Sequence, residues 1–175
     1  MAIKQFKDFD QVKAYGAAAE QLPRGGYVCK IVGAKTIENS FGQSVKIAFD
    51  VAEGEHAGYY QKKYDNDDRE DKKWSGTHLL NVPNDDGSEQ DGWTKRRFKT
   101  FTEALEDSNE GYHFDWDEQK FKGMLIGGLF NEREYESQKG DIRKATNWAG
   151  VTSVENIRSG DYTLPNDRLL DRGYN

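Results

Sequence analysis

The chain has 175 residues, 32% of them charged, and its 25 basic against 31 acidic side chains give a net charge of −6 and a pI of about 5.2. That length is one ordinary domain, and nine Tyr, nine Phe and four Trp supply large side chains that disordered chains lack. A single cysteine, Cys29, excludes an internal disulfide and a thiolate metal cluster, and its lone presence suits a cytosolic protein.

The opening residues Met1 to Asp10 hold no apolar run of the kind a secretory signal requires. Asp10 to Leu22 is predicted as a helix, with Asp10 as N-cap and Ala14, Ala17, Ala18 and Ala19 as helix formers. Pro23, Gly25 and Gly26 break it. Tyr27 to Ile37, rich in Val, Ile, Tyr and Thr, reads as a strand, and Asn39 to Gly42 as a turn with Ser40 and Phe41 at its tip. Ser44 to Val51 alternates, with Val45, Ile47, Phe49 and Val51 on one face and Ser44, Lys46, Ala48 and Asp50 on the other. That period of two predicts a half-buried strand. After a loop over Glu53 to Gly58, Tyr59 to Tyr64 is predicted as a third short strand.

Asp65 to Lys73 is a charge run expected in solvent, and Pro83 to Gly92 a polar loop. Within Trp93 to Asp107 the residues Phe98, Phe101 and Leu105 recur at helical spacing, which places a helix there with Phe98 and Phe101 in the core. Gly111 to Glu118 reads as irregular. Phe121 to Phe130 is apolar and glycine-spaced, hence a buried strand with bulges or tight bends. Its uncharged stretch, Gly123 to Phe130, is far short of the roughly 20 residues of a membrane helix. A hairpin turn over Ser137 to Asp141 leads to a strand over Ile142 to Trp148. A short helix over Val151 to Ser159, stopped by Gly160, and a polar tail from Asp161 follow.

The order predicts a mainly β chain: an OB-fold-like five-stranded barrel with an N-terminal helix and a helix between strands 3 and 4. The expected organisation is a helical segment over 1–22, the barrel over 23–160 with an acidic insert at 65–118, and a tail over 161–175. Charge is segregated accordingly. Residues 65–118 carry seven basic and sixteen acidic groups, whereas residues 24–64 have a net charge of +2 and residues 119–175 of +1. A barrel face bearing Lys30, Lys35, Lys46, Lys62, Lys63, Arg143 and Lys144 beside aromatic residues is the pattern of single-strand binders, in which bases stack on rings and lysines track the backbone. The candidates are Lys30, Lys46, Lys62, Lys63, Arg143 and Lys144 for the backbone, and Phe41, Tyr60, Trp74 and Trp148 for stacking. The basic run Lys95-Arg96-Arg97 at the start of a helix reads as a solvated face.

Enzymatic motifs are weak. Asp65 to Glu70 fails the calcium-loop template, with Arg69 and Glu70 where a ligand and a glycine belong. No P-loop and no nucleophile elbow occur. Glu118 and Lys120, with Asp85 or Asp107, form the outline of a metal-dependent nuclease site, kept as a third reading. The expectation is a non-enzyme with no catalytic residue, no metal and no cofactor.

Three stretches carry a family resemblance. Leu22-Pro23-Arg24-Gly25-Gly26-Tyr27-Val28-Cys29-Lys30-Ile31 resembles the opening of small phage proteins from the replication and recombination modules of phages of Gram-positive bacteria. Phe121 to Phe130, followed by Glu134-Tyr135, is similar to their late hairpin, and Val154 to Tyr162 to their ending. The resemblance implies single-stranded DNA binding in phage DNA replication or recombination, in the host cytoplasm, with other replication or recombination proteins or a second copy as further partners. The ending Leu169 to Asn175 departs from the acidic, apolar-tipped tail of cellular single-strand binders. The alternative reading is a protein-interaction or DNA-mimicking module acting on a basic host or phage protein.

Overall fold

The computed structural model describes residues 2–11 and 21–170. The helix expected over Asp10 to Leu22 lies, apart from its ends, outside the described residues. Strands β1 (Gly25–Asn39) and β2 (Gly42–Val51) form a long antiparallel hairpin. Its turn is tied by the Asn39 side-chain carbonyl, which accepts the amides of Phe41 and Gly42 at 3.1 and 3.3 Å. Gly42 has φ 136°, a backbone conformation that favours glycine, and a Cβ there would also displace the Asn84 side-chain amide, whose Oδ1 would lie 2.6 Å away.

Tyr59 to Tyr64 is not a strand but a short helix, α1 (Tyr59–Asp65). The cause is remote. The Asp50 carboxylate, on β2, accepts the amides of Tyr60 and Gln61 at 2.8 and 3.2 Å and so caps the first turn. The third strand is β3 (Thr77–Asn81), later than predicted, with Leu80 buried and Leu79 facing solvent. Helix α2 (Glu89–Ser108) begins one turn before Trp93, because the Ser88 hydroxyl accepts the Asp91 amide as an N-cap. A single 3₁₀ turn (Glu118–Phe121) precedes β4 (Leu125–Glu136), so Phe121 joins the core from a turn and not from a strand. Then come β5 (Ile142–Thr152) and α3 (Val154–Ser159), the latter capped by Ser153 and ended by Gly160. The acidic stretch 65–118 therefore supplies an edge strand and the longest described helix.

The five strands make one antiparallel open sheet in the order β3-β2-β1-β4-β5. The sheet is mainly responsible for the fold, with β3 and β5 as its edges. It curls until the edges meet through side chains, the rings of His78 (β3) and Trp148 (β5) stacking at 5.4 Å. Its inner face carries Ile31, Ile47, Phe49, Val51, Ile126 and Phe130, against which α2 lays Phe101, Ala104 and Leu105. Phe49 is the hub, with ring centroids 4.3 Å from Trp148, 5.2 Å from Tyr60 and 5.8 Å from Phe130. Each such side chain withdrawn from water stabilises by about 1.5–3 kcal/mol.

On the outer face, α3 covers the start of β1 and β4. Gly127 makes this possible, since a Cβ there would lie 2.7 Å from both Ile157 Cγ1 and the Thr152 carbonyl oxygen. Residues 166–168 continue this side: Arg168 bonds through its backbone to Glu132 and Glu134, alongside β4. Among the described residues no helix is long and apolar enough to cross a membrane.

Candidate nucleic-acid interface

The outer face beyond α3 is open, and its composition follows from one irregularity. Lys30 and Lys35 are five residues apart, which on a regular strand sends them to opposite faces. A bulge between Ile31 and Gly33 takes Val32 out of register. Lys35 therefore returns to the face of Lys30. It stands directly across from Lys46 of β2, and Lys46 in turn faces Leu79 of β3. Val32 and Leu79 are exposed, Leu79 by half. Lys30, opposite Asp50, gains no ion pair, because that carboxylate is turned to the α1 amides. Among the described residues Lys30, Lys35 and Lys46 take part in no salt bridge. Like charges directly opposite on a sheet cost stability, so this arrangement favours an anion laid across it.

Other candidates divide. Lys62 and Lys63 are exposed on α1, the helix that Asp50 ties to Lys30's end of the face. Phe41, half-buried at the hairpin tip, lies at the other end. Arg143 and Lys144 are neighbours on β5 and so point to opposite faces. They lie beyond the start of β1, at the far end of the sheet from Phe41, and the Lys144 ammonium sits 3.9 Å from Glu132.

Three of the four proposed stacking rings are committed elsewhere. Tyr60 and Trp148 are 7% and 6% exposed, packed on Phe49, and are core residues. Burial raises the Tyr60 phenol well above its ordinary range. Trp74, expected free in a polar loop, is half-buried. Its indole N–H donates to the Phe49 carbonyl at 2.9 Å, and its ring lies 5.8 Å from Tyr64. Sequence reasoning counted Lys35 on the basic barrel face but left it out of the backbone contacts, since its facing depends on the bulge. It missed two exposed rings: Trp93, with the Arg96 guanidinium at 5.3 Å, and Trp116.

The nuclease outline is not assembled. Glu118 and Lys120 lie on the 3₁₀ turn, Lys120 pairs with Asp115, and Asp85 pairs with Lys95. The Asp115 contact holds the Lys120 ammonium above its usual range, the wrong direction for a group that activates water. Among the described residues no three His, Cys, Asp or Glu side chains are placed to hold a metal ion. Buried Cys29 has its thiol pushed up by desolvation, which suits an inert core residue. No protein-family model matches the chain, and no curated protein matches its sequence.

Proposed function

We propose that this chain binds single-stranded DNA without sequence preference, through the open outer face of β1, β2 and β3, in phage DNA replication or recombination. The observation that carries the reading is the cross-strand pair Lys35–Lys46, unneutralised, beside Lys30 and the exposed apolar Val32 and Leu79. Lysines on an open sheet track phosphates, and the flanking apolar groups with Phe41 offer surface to unstacked bases. The strand order supports an OB-like barrel opened between β3 and β5, a fold whose strand 2–3 face and first hairpin loop serve oligonucleotides. The resemblance of residues 22–31, 121–130 and 154–162 to small phage proteins points the same way.

Fluorescence anisotropy with a labelled single-stranded oligonucleotide at two salt concentrations tests it. Affinity should fall with salt, and each lysine removed from the face should reduce the log–log salt slope by about 0.7. The charge-reversed pair Lys35→Glu, Lys46→Glu should abolish binding at low salt. Wild-type affinity in that variant, or no binding by the parent protein at low salt, disproves the proposal.

A further inference from the structure

A second surface, on the inner side of the sheet, has the opposite chemistry. Between the β1–β2 hairpin and the linker joining α2 to β4 lies a cleft of about 360 Å³, large enough for one or two side chains. Thr36, Gln43 and Val45 form its hairpin side, and Phe98, Phe114 and Trp116 its aromatic side. Trp116 is 76% exposed, more than any other Trp or Phe among the described residues. Its indole stacks on Phe98 at 5.8 Å and 16°, with Phe114 at 4.9 Å. One face of the indole is thus supported by the protein and the other is left to solvent. The linker is held in place, since Glu106 accepts the Phe114 amide at 3.1 Å and Asp117 caps the 3₁₀ turn.

The electrostatics select the occupant. Glu118 is the one charged residue that lines the cleft among those described. The linker 109–124 contributes Glu110, Asp115, Asp117 and Glu118 against Lys120 and Lys122, with Lys120 paired to Asp115, and Glu106 and Asp107 end the preceding helix. A phosphate backbone is repelled here. A guanidinium is suited on three counts: it is planar and stacks on an indole, it pairs with a carboxylate through two parallel hydrogen bonds, and it sheds water more readily than an ammonium. We infer that this cleft docks an arginine-bearing segment of a partner protein, the guanidinium lying on Trp116 against Glu118 and an adjacent apolar side chain filling the space over Val45 and Phe121. The inference does not depend on nucleic-acid binding at the outer face.

A fluorescein-labelled hexapeptide alternating leucine and arginine is the probe, with its leucine–glutamate counterpart as control and an oligothymidylate as competitor. Trp116→Gly is the informative variant. At φ 67° the backbone of Trp116 is in the region that glycine favours, so the ring is removed without straining the loop. The arginine peptide should bind, the glutamate peptide should not, and Trp116→Gly should weaken binding about tenfold or more. Glu118→Gln should weaken it about threefold. Oligothymidylate affinity should be unchanged in both variants. Absence of arginine-peptide binding, or equal binding by parent and variants, overturns the inference. So does a loss of oligothymidylate binding in Trp116→Gly, which assigns the cleft to bases. Self-association of the parent protein that disappears in Trp116→Gly overturns it in favour of a second copy.

Discussion

On the outer face Lys35 and Lys46 oppose each other and form no ion pair, whereas at the inner cleft Glu118, the one charged lining residue among those described, stands beside an exposed indole. The two regions share a strand. Lys35 belongs to the first and its neighbour Thr36 to the second. They differ in what holds them: the lysines stand on a hydrogen-bonded sheet, the indole on a linker pinned by side-chain caps. Net charge is thus a poor guide to partners in a small domain. A chain of net −6 presents a basic face and an acidic cleft on opposite sides of one sheet.

The largest effect is expected at Phe49, the hub of the core beneath the sheet. Phe49→Ala removes the ring that touches Tyr60, Phe130 and Trp148. It should cost about 3–5 kcal/mol in chemical denaturation, and both surfaces should be lost together. Retention of either surface in a variant that has lost the other to this change would show that they are separately supported.

Acid should act next, at the edges of the sheet. Burial lowers the His78 pKa to about 4, against about 6.5 in the unfolded chain. Below pH 6.5 the unfolded chain binds a proton that the folded one refuses. Stability is therefore full above pH 6.5 and falls as the pH drops toward 4, by up to about 3 kcal/mol. Thermal melts across that window should show the loss, and His78→Phe should flatten it.

The smallest effect is expected at Lys46. Lys46→Thr relieves a like-charge pair and places a β-branched residue on a strand, so stability should rise by about 0.2–1 kcal/mol. Oligonucleotide affinity should fall in the same variant, with arginine-peptide binding unchanged. A gain in stability with a loss of function marks the pair as a binding device.

Much of this was legible in the residues. The alternation from Ser44 to Val51 placed β2 and its buried face correctly except for Ser44, which is buried in hydrogen bonds with Asn39 and Asn81. The spacing of Phe98, Phe101 and Leu105 placed α2, and Gly160 ended α3. What was not legible depends on distant partners. Tyr59 to Asp65 is helical because of Asp50, on another element. Trp74 is held by the Phe49 carbonyl, and Trp148 packs on Phe49 and Phe130 with His78 of the opposite edge stacked on it. The facing of Lys35 turns on a bulge at Val32 that no local pattern announces. Lys30, Lys35 and Lys46 could all be named as basic barrel residues from sequence, but the register that sets Lys35 across from Lys46 could not.

The contact of His78 with Trp148 has a consequence for how the chain reaches this state. The β1–β2 and β4–β5 hairpins join neighbours in sequence, but β1 meets β4 through pairs such as Gly25 with Phe130. Closing so long a loop is slow. The ring stack between the edge strands forms only once both hairpins are docked, so it is a late event in folding and an early one in unfolding. Amides of β3 should therefore exchange with solvent before those of β1, and the molecule opens at the side where no backbone hydrogen bonds join the two edges.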